Sequence, residues 1–163
     1  MSADIIVARM RRFLLILAGI VYAMTPVELI FSKHTDSLEK LIPFALCAVG
    51  FVAVLVVQRQ ATRATLLSLR IVMVIIALGA LFGGYEHWAG NVEYALETHA
   101  GAQLSDVLLN VLQGASPLLA PGILGLAAVL GIAATYAHPA LAGAQDDERA
   151  GSKVMPLDVP RRG

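Results

Sequence analysis

Residues 82–99 carry the side chains best suited to chemistry: Glu86, His87, Asn91, Glu93, Glu97 and His99, set among Tyr85, Trp88 and Tyr94. These eighteen positions hold no Lys and no Arg. Two further groups belong with them. Glu28 lies near the far end of an apolar run, and His34 sits in the polar loop that follows it. A carboxylate inside a spanning segment costs about 2.5–3.5 kcal/mol at mid-bilayer and less near the interface. Glu28 therefore either snorkels at the headgroups or faces a partner inside the bundle, and both readings stand. Helix rise brings the groups together. Glu28 is fifteen residues beyond Phe13, and Glu86 is fifteen beyond Ile71, each a climb of about 22 Å. Glu28 and the Glu86/His87 pair thus share a depth just below the outer surface, with His34 above them.

Imidazole with carboxylate suits Zn, Fe, Mn or Cu. A metal reading takes Glu28, His34, His87 and Glu93 as ligands. It has no HExxH or ExxH spacing behind it, and the adjacent Glu86 and His87 point in different directions on a helix. A haem needs facing axial ligands. His34 with His87 is the pair at one depth, while His138 lies at the opposite membrane face. A proton or ion path needs polar groups across the membrane, and the middles of the apolar runs hold almost none. Ser105 and Ser116 lack a GxSxG setting, so no catalytic residue is assigned. If the helix continues past Gly84, Glu86, Gly90, Glu93 and Glu97 share one face, while His87, Asn91 and Tyr94 share another. Gly83, Gly84 and Gly90 count against an unbroken helix, at roughly 1 kcal/mol each relative to Ala.

The elements that must position these groups are greasy. Of 163 residues, 58% are hydrophobic and 15% charged, and the mean hydropathy is +0.74. Soluble domains carry about 25% charged residues, so the composition points to a bilayer. Apolar runs predict an all-α, four-span transmembrane bundle, with spans at 13–31, 41–57, 71–88 and 117–136. An alternative reading of the first run is a cleaved signal peptide ending near residue 23. The run stays apolar after Met24, which favours a retained helix. Leu104, Val107, Leu108, Val111 and Leu112 recur at helical spacing and predict a short outer interfacial helix between spans three and four. Residues 1–139 form the membrane domain, and 140–163 read as a flexible tail. The lone Cys47 reads as a packing residue. Zero net charge offers nothing to nucleic acid.

Orientation follows from Lys and Arg. The N-terminal segment has three, the 58–70 connection three and the tail four, which is ten on one side. The 32–40 loop has two and residues 83–116 none, which is two on the other. Both termini are expected in the cytoplasm, with the acidic, His-containing cap facing outward from a bacterial inner membrane.

Several segments together resemble an uncharacterised family of small four-helix bacterial integral membrane proteins. They are Thr25-Pro-Val-Glu-Leu29, His34-Thr-Asp-Ser37, Ile42-Pro-Phe44, Tyr85-Glu-His87, Gly90-Asn-Val-Glu-Tyr94, Ala120-Pro-Gly122 and Tyr136-Ala-His-Pro139. The resemblance implies the four-helix architecture and groups Glu28, His34, His87, Asn91 and Glu93; it implies no activity. The reading is of a non-enzymatic accessory or partner-binding subunit. Glu28, His34, Glu86, His87, Asn91 and Glu93 form its outer cluster, and a membrane-protein partner or second copy is its target. A metal- or haem-linked redox protein is the alternative, and an oligomeric transporter component the third. Gly79-Ala-Leu-Phe-Gly83 and the glycines of the fourth run offer close helix contacts.

Overall fold

A computed structural model describes residues 3–32, 35, 37–99, 101, 103–112, 114 and 119–142. Among them the regular structure is entirely helical: α1 (Ala3–Phe31), a 3-10 turn (Glu39–Leu41), α2 (Ile42–Arg59), α3 (Arg63–Thr98), α4 (Leu104–Leu112) and α5 (Leu119–Ala133). Helices α1 and α3, and α2 with its 3-10 turn, are long and apolar enough to cross a membrane. At 1.5 Å per residue α1 runs about 44 Å and α3 about 54 Å, against a hydrocarbon core of ~30 Å. The 15 residues of α5 cover about 22 Å. His34, the 115–118 segment and residues 143–163 of the expected tail lie outside the described residues.

Local chemistry sets the boundaries. Pro43 sits in the first turn of α2, where its missing N–H costs nothing. The 60–62 connection is short because Thr62 and Thr65 form a reciprocal capping box at the start of α3 (Thr65 N to Thr62 Oγ1, 3.2 Å; Thr62 N to Thr65 Oγ1, 3.0 Å). The polar stretch at 58–70 is thus largely helix, and the third helix does extend inward through Ala64–Leu69, as the sequence allows. Likewise Arg9, Arg11 and Arg12 lie inside α1 rather than ahead of it. Helix α3 also passes unbroken through Gly83, Gly84 and Gly90.

Helix α1 packs on α2 and α5, and α3 packs on α2 and α5. The buried residues of α3, Leu66, Leu69, Met73, Ile76 and Ala80, alternate steps of three and four. That is the seam of helices crossing at a shallow angle. Cys47, Gly50, Val54 and Val57 repeat the pattern on α2. At mid-depth the buried Tyr22 donates its hydroxyl to Met73 Sδ (3.1 Å). Its ring fits because position 50 is Gly: a Cβ there would come within 2.9 Å of Tyr22 Cζ and 2.8 Å of Ile76 Cδ1. The Gly79–Gly83 pair serves contacts within the chain. A Cβ on Gly79 would meet Leu46, and one on Gly83 would lie 3.5 Å from Pro121. Outside this core, Phe13, Ile16, Ile20, Val49, Val52, Val56, Val74, Leu78, Leu81, Leu126 and Val129 are exposed. An apolar belt on every long helix is a surface for lipid. Among the described residues no buried side-chain N or O lacks a hydrogen-bond partner, as hydrocarbon demands.

At the Arg-rich end two guanidinium groups clasp the end of α5. Arg11 donates from Nε to Tyr136 O (3.1 Å) and from Nη2 to Ala137 O (2.6 Å). Arg70 donates from Nε to Thr135 Oγ1 (2.7 Å) and from Nη2 to Thr135 O (3.2 Å). Thr135, fully buried, passes its own hydroxyl proton to Ile132 O (2.7 Å). Carbonyls of the last turn of α5 are met by the N–H groups of Ala134, Thr135 and Tyr136; the cations bond the carbonyls of the turn that follows and oppose the negative end of the helix dipole. Ala137 adopts a left-handed φ of 47°, and His138-Pro139 then turns the chain away.

Burial, and then the Arg11 charge, lower the His138 pKa from its ordinary 6.5. Its Nδ1 accepts the Ala140 N–H (3.2 Å), which needs the neutral ring. The fold favours the neutral form. Its stabilisation is complete above the unfolded-state pKa and is lost as pH falls through that value toward the lowered one. Amide exchange at Ala140, corrected for intrinsic rates, should accelerate between pH ~7.5 and ~5. His138→Asn should flatten the dependence. A corrected rate that is already flat in the native chain would refute the assignment.

Candidate functional site

The seam of α3 does not stop at Ala80. It runs on through half-buried Gly84 and His87 to buried Asn91 and Ala95. His87 therefore faces the bundle, while Glu86, Glu93 and Glu97, on the opposite side of the same turns, are exposed. The two helix faces expected from an unbroken α3 are present, except that Tyr94 is 61% exposed rather than inward. Tyr85 and Trp88 lie with ring centroids 6.3 Å apart.

His87 opens onto a cavity of about 480 Å³ between α1, α2, α3 and α5. Glu28 and Ser32 border it from the end of α1, Lys40 from the 3-10 turn, and Pro121 and Leu124 from α5. Its inner wall is apolar, made by Leu29, Leu46, Gly79, Ala80 and Ile123. The space exists because small residues meet there. Ala120-Pro121-Gly122 opens α5 opposite Gly83 and Gly84 of α3, so no long side chain fills the gap. A carboxylate, an ammonium, an imidazole and a hydroxyl thus border one greasy cleft. That combination fits an apolar body with a polar or charged head.

The cluster expected from sequence divides. Glu28 and His87 come together in this cleft. Glu86 and Glu93 are exposed on the other face of α3, and His34 lies outside the described residues. Asn91 has a different position. Only 3% exposed, it donates Nδ2–H to the Val111 carbonyl in the last turn of α4 (3.1 Å). Val111 packs beside Ala95 and Val92. Asn91 therefore holds α4 onto the outer third of α3. Gly114 leaves room for the amide, since a Cβ there would collide with it. Among the described residues no group of three or more His, Cys, Asp or Glu is placed to hold a metal ion.

Lys40 is the cleft residue that sequence reasoning passed over, counting it only as one of two outer cations. The signal was its position three residues ahead of Pro43. A proline in the first helical turn fixes where α2 begins, and so puts Lys40 at the depth of Glu28.

Asn91→Ala should free α4 while leaving the bundle intact. Loss of a buried hydrogen bond of about 1.5 kcal/mol predicts roughly tenfold faster amide exchange in residues 104–112, with little change around Met73. Unchanged exchange there would show that α4 is held by Val111 alone. The chain matches no protein-family model, no curated protein and no solved structure.

Proposed function

We propose that this chain is a small, non-enzymatic membrane protein that binds an amphiphile in its outer cleft and serves as an accessory to a membrane partner. It crosses the bilayer four times, α5 being the fourth crossing, with both termini in the cytoplasm of a bacterial inner membrane. The Lys and Arg asymmetry supports that orientation. The observation that carries the binding reading is the convergence of Glu28, Lys40 and His87, from three separate elements, on one apolar cavity. Its volume falls within the ~300–1,000 Å³ of small-molecule sites. A ligand tail lies along Leu46, Ile123 and Leu124; its head meets the three ionisable groups.

The test uses the full chain in detergent with a fluorescent zwitterionic single-chain lipid. Binding should weaken about tenfold in a Glu28→Gln, Lys40→Gln double variant, equal to ~1.4 kcal/mol. It should weaken further in Ile123→Trp, which fills the wall. Unaltered binding in both, with melting temperatures preserved, would sink the reading.

A partner contact is supported by the outward acids. Glu86, Glu93 and Glu97 are exposed on one face of α3, free of any Lys or Arg between 83 and 116. Reversing all three to Lys should abolish stoichiometric co-purification of a partner from native membranes, while amphiphile binding in the cleft persists. Co-purification that survives the reversal rules this face out.

A further inference from the structure

At the Arg-rich end two further cavities flank His138. One, of about 350 Å³, lies between the start of α3 and the turn after α5, and is lined by Arg63, Leu67, Arg70, His138 and Leu141 among others. The other, of about 300 Å³, is bordered by Arg11, Arg12, Leu15 and Leu66. Among the described residues no acidic side chain lines either one. Each joins guanidinium groups at its rim to leucines on its wall.

Capping of α5 accounts for only part of this charge. Arg11 and Arg70 meet the turn that follows α5, and each guanidinium has five N–H donors. Arg70 spends two nitrogens on Thr135 and keeps N–H groups beyond those bonds. The bonds also fix its plane, so a second acceptor would meet a pre-ordered fork. Arg63, exposed at the first residue of α3, is about two helical turns from Arg70. Positions 63, 67 and 70 lie on one face, and all three line the same cavity. Two guanidinium groups on one helix face, with Leu67 between them and Leu141 opposite, set anion donors beside apolar wall in one cavity, the pairing that a phosphodiester and its acyl chain require.

We propose that the cavity lined by Arg63, Arg70 and Leu67 binds the phosphodiester headgroup of an anionic glycerophospholipid, whose acyl chain lies along Leu67 and Leu141. Basic pockets between spanning helices on the cytoplasmic side are suited to such headgroups. The site is separate from the outer cleft. The proposed orientation decides only which leaflet supplies the lipid.

Native mass spectrometry of the full chain in neutral detergent tests this, with phosphatidylglycerol and phosphatidylcholine of identical acyl chains as ligands. Phosphatidylglycerol should be retained about tenfold better. Arg63→Gln should reduce its retention about fivefold, the worth of one surface arginine, at an unchanged melting temperature. Arg63→Lys should restore most of the loss. Inorganic phosphate in millimolar excess should leave the lipid bound; displacement by it would make free phosphate the ligand and overturn the lipid assignment. Equal retention of the two lipids, or no effect of Arg63→Gln, overturns it as well. If selectivity appears only after Asp146, Asp147 and Glu148 are neutralised, the chain's own acidic segment is the occupant and the proposal fails.

Discussion

The end of α5 is the place on which the rest of the bundle depends. Helix α5 stops at Ala133 with carbonyls of its last turn met by the N–H groups of Ala134, Thr135 and Tyr136, and the carbonyls of the turn that follows emerge beside α1 and α3. Hydrocarbon supplies no hydrogen bonds, and every exposed backbone group must find a partner in the protein. Arg11 and Arg70 supply it, one from each flanking helix. The two forks fix how far α5 can slide, and with it the depth of Pro121 against Gly83 at the other end. The outer cleft takes its width from that register.

The two ends of the molecule are chemically opposite. The Arg-rich end collects guanidinium groups around a neutral histidine. The other collects Glu28, Lys40 and His87 around a greasy hollow and turns Glu86, Glu93 and Glu97 outward. Between them the middle is almost free of charge and is organised by shape: a tyrosine ring over Gly50, a thioether under the tyrosine hydroxyl, small residues where helices touch.

Much of this was legible in the chain. Long apolar runs marked the helices, because a single uninterrupted apolar segment satisfies its own backbone in lipid only as a helix. The shared depth of Glu28 and His87 followed from helix rise alone. Helix limits were less legible, since polarity ends an apolar run without ending a helix: Arg9 and Arg63 are as helical as their leucine neighbours. Three glycines did not break α3, because packing on α5 and α4 outweighs a cost of ~1 kcal/mol each. The tasks of Asn91 and Arg70 were not visible at all. Each depends on where another helix ends, Val111 for one and Thr135 for the other, and no local pattern around residue 91 or 70 encodes that.

The shortness of α5 has a consequence for the surrounding lipid. On the proposed four-span reading, about 22 Å of helix would stand in a hydrocarbon layer of ~30 Å, beside longer neighbours. Lipids along the α5 flank would then be compressed, and deforming a bilayer costs free energy for every ångström of mismatch. Two copies that turned their α5 flanks together would hide the thinned annulus, so an elastic force would favour pairing on that side even without a specific contact. The same force would draw the protein toward thinner patches of bilayer.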